Sequence, residues 1–259
     1  MKRNKIILVS LIITFCIAIF WFIFSSDLKG VIQSDSEPIH HYIFTEVLKG
    51  NIDENGMVNY NGVFEKKDKL DEYLSLLSSH HPNISWTKKE QKAYWINAYN
   101  AFTIQLVLNN YPLKSIKDLG GIIYRVNTSW DIEFIEIEGQ LYDLNDIEHN
   151  ILRSNYADPR IHFALNCASI SCPALRFEAY EALTLDDQLN SAGKQFLADS
   201  TKNRISKDEI EISRVFSWFT SDFTQDGELI DFLNKFSPVE IFEDADIDYL
   251  EYNWKLNEY

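Results

Sequence analysis

Four side chains of this 259-residue chain have the types and spacing of a nucleophilic site: Cys172 before Pro173, His162 ten residues earlier, and His149 beside Glu148. Proline favours the first helical position, so Cys172-Pro173 predicts a helix start with Cys172 as its N-cap. A thiol there meets the positive end of the helix dipole and unpaired N–H groups, which favour the reactive thiolate. Such a nucleophile needs a base within hydrogen-bond reach and a third group to orient that base. His162 is the expected base, His149 the alternate, and Glu148 either the orienting carboxylate or a capping group of its own helix.

Other readings of the same residues stay open. Cys167 and Cys172 could close a short disulfide in an oxidising compartment, leaving a non-catalytic binding module. His149, His162, Cys167 and Cys172 could instead form a metal site, although C-x4-C is not a usual zinc spacing. Asn97 and Asn100 interrupt the most apolar stretch of the chain, and Asn166 shares a predicted face with His162. Buried amides must find partners. These three either tie the core to loops or orient a substrate in the pocket. The pairs His40-His41 and His80-His81 read as solvated connecting segments.

The elements that would position these groups can be read locally. Thr87-Lys88-Lys89-Glu90 is a capping box, and Tyr94, Trp95, Ala98, Ala101, Phe102 and Leu106 follow at helical spacing, predicting a buried helix to about Asn109. Residues 131–137 and 141–142 read as a hairpin about Glu138-Gly139, and Asn145-Asp146-Ile147-Glu148 opens a helix through Arg153. The apolar density of Ile161 to Cys167 predicts an interior strand. Helices are further expected from Thr184 to about Leu197 and over Glu228 to Phe236, with a strand over Glu209 to Val215. Helices interspersed with hairpins predict an α+β domain, its central helix packed on a mixed or antiparallel sheet.

Tyr94-Trp95-Ile96-Asn97-Ala98-Tyr99-Asn100, Asp146-Ile147-Glu148-His149, Arg153, the run Asp158 to Pro173, Trp218, Asp222-Phe223 and Tyr252-Asn253-Trp254 together resemble the domain-of-unknown-function 547 family. The resemblance spans most of the chain after the N-terminal segment. Its pattern includes Glu148-His149, His162, Asn166, Cys167 and Cys172-Pro173, but it implies no defined activity. There is also a loose similarity, at the level of fold, to papain-like and transglutaminase-like thiol enzymes. This chain departs from them in having Asn97, not a cysteine, on the central helix.

Composition bounds the rest. The chain carries 39 acidic and 24 basic residues, a net charge of -15, with 46% hydrophobic residues. That is too apolar for disorder and too acidic for binding nucleic acid. Residues 6–24 hold no ionisable group other than Cys16 and, as a helix, would span roughly 28 Å, enough to cross a membrane. Lys2, Arg3 and Lys5 precede the run, which predicts a cytoplasmic N-terminus and a domain outside the cytoplasm. The expected organisation is a basic tip (1–5), a transmembrane helix (6–24), a tether (25–36) and one domain (37–259). With the three basic residues of the tip set aside, 21 basic residues face 39 acidic ones, a net of -18. No dinucleotide, phosphate-loop or zincin motif is present, and no cofactor is expected. The expected function is a membrane-anchored thiol hydrolase or acyl-transferase acting on an amide, ester or thioester of a small molecule or peptide.

Overall fold

A computed structural model describes residues 34–121 and 127–259. The basic tip, the apolar run 6–24 and the tether up to residue 33 lie outside the described residues, and the expected membrane helix with them. Among the described residues no helix is long and apolar enough to cross a membrane.

The central helix runs Lys88–Asn109 and begins as its sequence requires. The Thr87 N–H donates to the Glu90 carboxylate at 2.7 Å, and the Glu90 N–H donates back to the Thr87 hydroxyl at 3.3 Å. These reciprocal bonds satisfy two of the N–H groups that a helix start leaves open. Successive residues Tyr94, Trp95, Ile96, Asn97, Ala98 and Tyr99 are all buried, so the helix needs neighbours on every side. Its principal neighbours are the helix Lys67–Ser78 and the π-helix Asp146–Arg153.

The fold is α+β, but the sheet is not the platform for the central helix. Among the described residues there are two small sheets. β1 (Ile135–Ile137) and β2 (Gln140–Tyr142) form an antiparallel hairpin with Ile135 opposite Tyr142. β3 (Arg204–Ile205) pairs antiparallel with β4 (Glu209–Ile212), and β4 pairs parallel with β5 (Asp246–Tyr249). Strands of two to four residues cannot cover a helix of 22, and helices do so instead. Only local patterns were readable, and they do not say which element covers which face.

Among the described residues two apolar clusters build the core. The larger surrounds the central helix, and the smaller gathers Phe163, Phe196, Phe216, Phe223, Phe232 and Phe236. The chain passes between them at Ile161 to Leu165. Ile161, Ala164 and Leu165 belong to the first cluster and Phe163 to the second. Gly193, on the helix Leu185–Ala198, lets that helix approach closely, since a Cβ there would meet the Phe163 and Phe236 rings within 3 Å.

The strand expected at Ile161 to Cys167 is absent. Pro159 to Phe163 is a 3-10 helix, capped by the Asp158 side chain, which accepts from the Arg160 N–H. Apolar density alone does not separate a buried strand from a buried helical turn. What decides is the set of hydrogen-bond partners: the Ile161 and Ala164 N–H groups bond locally, to the Asp158 and Ile161 carbonyls, and beyond the turn the central helix takes over, where the Asn100 amide donates to the Ala164 carbonyl at 2.9 Å and accepts from the Asn166 N–H at 2.9 Å. Asn97 makes the same two-way bond with the Tyr180 backbone. Replacing Asn100 by alanine leaves a buried carbonyl and a buried N–H without partners. A loss of about 2 kcal/mol is expected in urea unfolding, and a loss below 0.5 kcal/mol would contradict this role.

Two smaller expectations also change. No helix begins at Pro173: Cys172 ends a tight turn in which its N–H donates to the Ser169 carbonyl at 3.0 Å. His41 and His81 are buried rather than solvated, each bonded to a tyrosine hydroxyl, Tyr73 at 2.7 Å and Tyr142 at 2.8 Å.

Candidate functional site

The π-helix Asp146–Arg153 places Glu148, His149 and Arg153 beside the central helix, where Tyr99 meets them. The 3-10 helix at Pro159–Phe163 brings in His162, and the short helix Thr220–Phe223 brings Asp222 from sixty residues further on. His162 Nε2 lies 2.8 Å from Asp222 Oδ2, and Nδ1 lies 3.9 Å from Glu148 Oε1. The ring stacks on Phe219 at 3.9 Å between centroids. Arg153 grips Asp222 with two donors, Nε at 2.5 Å and Nη2 at 2.7 Å, while its Nη1 lies 3.0 Å from His149 Nδ1. A carboxylate thus holds one nitrogen of the imidazole and is itself held by a guanidinium.

Burial pushes the Glu148 carboxyl up to about 7, with the Tyr99 hydrogen bond and the Arg153 charge opposing it. The Tyr99 hydroxyl accepts from Trp130 Nε1 at 3.1 Å, so its own proton is free for Glu148. Asp222 goes the other way. Burial would raise it, but hydrogen bonds and charge from Arg153 and His162 hold it well below the usual carboxylate range. Burial also lowers His162, against the pull of Asp222, and lowers His149, with the Arg153 charge adding to it. Two carboxyl groups set apart in this way, one near neutrality and one fixed as an anion, give an acid–base centre its division of labour.

Tyr99, Glu148, His149 and His162 open on a cavity of about 180 Å³, with Asp222 and Arg153 behind its wall. Its walls are aromatic, with Trp130, Trp218, Phe219, Tyr252 and Trp254 around Glu148, His149 and His162. Trp218 packs on Tyr252 at 4.7 Å, and Tyr252 on Trp254 at 4.5 Å, between ring centroids. Cys167 and Cys172 form part of the lining and are joined as a disulfide, with Cα atoms 6.2 Å apart.

The residues singled out from sequence therefore divide. Glu148, His149, His162 and Cys172 share one cavity, together with Cys167. Cys172 is bonded to Cys167 and has no helix N-terminus behind it, so the activated thiolate expected from Cys172-Pro173 is not the state of this structure. His162 commits Nε2 to the Asp222 carboxylate and turns Nδ1 toward Glu148, 3.9 Å away, instead of toward a thiol. Asn97, Asn100 and Asn166 spend their amides on backbone, Asn166 donating to the Pro173 carbonyl at 2.8 Å, and hold the loops that carry the site. Among the described residues no group of three or more His, Cys, Asp or Glu side chains could hold a metal ion.

Reasoning from motifs missed Asp222, Arg153 and Tyr99 as partners of Glu148 and His162. The signal available for them was the family resemblance, drawn on residues that include Tyr99, Arg153, Trp218, Asp222, Tyr252 and Trp254. The family model described as Protein of unknown function, DUF547, matches residues 84–197. That span carries Glu148, His149, His162 and both cysteines, while Asp222 and the aromatic wall from Trp218 onward lie beyond it. No curated protein and no solved structure matches the chain.

Proposed function

We propose, from the premise that residues 84–197 of this chain match the DUF547 family of proteins of unknown function, that its cavity performs acid–base hydrolysis or acyl transfer on an uncharged amide or ester. The observation that carries the reading is the Glu148 carboxyl, buried in an aromatic cavity at a pKa of about 7 and 3.9 Å from an imidazole nitrogen. With His162 Nε2–H donating to Asp222, Nδ1 is the free acceptor on the Glu148 side. Asp222 fixes the ring and would stabilise the imidazolium as it forms, while Arg153 keeps Asp222 ionised. Glu148 moves the proton, and the Tyr99 hydroxyl supports its anion. The aromatic walls suit an apolar acyl group or a flat ring. A thiol mechanism with Cys172 as the nucleophile requires the disulfide to be opened first. The reading includes the expected tether: residues 6–24 anchor the domain, which works outside the cytoplasm.

The test uses the full chain and panels of p-nitrophenyl esters and amino-acid p-nitroanilides. Glu148→Gln is expected to lower kcat/KM at least tenfold and to abolish the limb of the pH profile centred near 7. A rate rising through that limb makes Glu148 the base, and a falling rate makes it the acid. Wild-type kinetics in Glu148→Gln would refute the assignment. The disulfide supports a second reading, a binding module without catalysis, which predicts that no panel member is turned over and that ligands quench the pocket tryptophans.

A further inference from the structure

The same cavity carries a second reactive pair, which proton transfer by Glu148 and His162 does not use. Cys167 and Cys172 both line it, but their surroundings differ. Cys172 is 4% exposed, whereas Cys167 is only half-buried. The Cys172 sulfur accepts from the Cys167 backbone N–H at 2.8 Å, a donor the Cys167 sulfur lacks, and the Tyr252 hydroxyl lies 3.3 Å from both sulfurs, free to turn its proton to whichever becomes the thiolate. Ser169 Oγ donates to that hydroxyl at 3.1 Å and lies 3.2 Å from the Cys167 sulfur. Disulfide sulfur is a weak acceptor, so two donors gain little from it. A thiolate at the same place would bind both strongly.

We propose that Cys167–Cys172 is a thiol–disulfide exchange site that accepts electrons from an external dithiol, with Cys167 the sulfur attacked and Cys172 the thiolate released. One thiolate of the dithiol bonds to Cys167 Sγ, the Cys167–Cys172 bond breaks, and its electron pair passes to Cys172 Sγ. That sulfur is held by the Cys167 N–H and the Tyr252 O–H. The second thiol of the reagent then attacks its own sulfur in the mixed disulfide, releasing Cys167 and closing the external disulfide. The protein gains two electrons and two protons, both protons from the dithiol, and the dithiol is oxidised by the same count. Glu148, near neutrality in this cavity, is placed to relay protons, and Tyr252 feels its charge. The other titratable groups facing the pair across the cavity are Tyr99, His149 and His162.

The test has two arms on the folded full chain. In the first, dithiothreitol is titrated under native conditions, thiols are trapped by alkylation, and peptides are mapped so that Cys16 is counted separately. Cys167 and Cys172 are expected to be reduced while circular dichroism stays native, and to re-form their bond when oxidised dithiothreitol is added. Reduction only on unfolding would overturn the proposal and leave a structural staple. In the second, Cys167→Ser keeps the backbone donor and frees Cys172. Its alkylation should then titrate at least one pH unit below the ordinary thiol value of about 8.5. The same shift is expected in a Glu148→Gln background, and adding Tyr252→Phe should remove up to tenfold of the thiolate's stabilisation, raising the midpoint by up to one unit. A midpoint at the ordinary value, or one unmoved by Tyr252→Phe, would also overturn it. Neither arm depends on ester hydrolysis, so this proposal and the acid–base reading fail separately.

Discussion

Replacing Asp222 by alanine is expected to cost about 3 kcal/mol of folding stability at neutral pH, because the buried His162 ring and the partly buried Arg153 guanidinium lose the same acceptor. The Asp222 side chain is 13% exposed, and it takes two bonds from Arg153 and one from the 1% exposed His162 ring. Removing one member of such a pair leaves the other charge desolvated, which costs roughly 3–5 kcal/mol in buried settings. The lower end applies here, since Arg153 is 27% exposed and can turn partly to water. The pH dependence has a definite sign. Asp222 titrates lower in the folded than in the unfolded chain, so its contribution is present above about pH 4 and lost as pH falls through the folded value. The deficit of Asp222→Ala, measured by urea unfolding, should therefore be full at pH 7.5 and shrink at pH 3. A deficit below 0.5 kcal/mol at pH 7.5 would mean that this carboxylate does not hold the site together.

Glu148→Gln is expected to do the opposite and stabilise the protein, but only above neutrality. Burial raises the Glu148 carboxyl from its ordinary 4.5 to about 7. Between those values the unfolded chain has released the proton and the folded chain keeps it, so this group subtracts stability as pH rises through the window. Above about pH 7 the subtraction is complete, about 3 kcal/mol at 1.36 kcal/mol per pKa unit. Glutamine is neutral throughout and of the same shape. The variant should match the wild type near pH 5 and exceed it by about 3 kcal/mol at pH 8. His41, His81, His149 and His162 all have lowered values and destabilise the fold as pH falls below about 6.5. They are present in both proteins and largely cancel in the difference, which is why the difference is the quantity to measure. A gap that does not change between pH 5 and pH 8 would show that Glu148 is not held near neutrality.

The two experiments probe the two ends of one arrangement, and they show where the sequence was legible. Features built from neighbours in the chain could be read directly. The Thr87–Glu90 box opens the central helix, Glu138-Gly139 turns the β1–β2 hairpin, and the helices Leu185–Ala198 and Leu229–Asn234 lie where capping and period place them. Glu148, His149, His162 and Cys172 could also be picked out, because their residue types carry chemistry wherever they fall.

What could not be read is which of these groups would meet. Ile161 to Cys167 looks like a strand by composition, yet its first residues close local 3-10 turns, and Asn100, more than sixty positions earlier, supplies the partners of the Ala164 carbonyl and the Asn166 N–H that follow. His162 finds its carboxylate sixty positions later in Asp222, and the Cys172 sulfur finds Tyr252 eighty positions later. The phenylalanine cluster around Phe163, Phe216 and Phe223 is what brings the Asp222 helix to the histidine. The sequence by itself determined the acidic α+β chain, the capped start of its central helix and the reactive groups it has to offer, since these depend on local backbone patterns and side-chain type. Only the tertiary structure decided that the imidazole is held by Asp222 and faces Glu148 and that the thiols serve each other, because burial and long-range packing choose partners that adjacency along the chain does not encode.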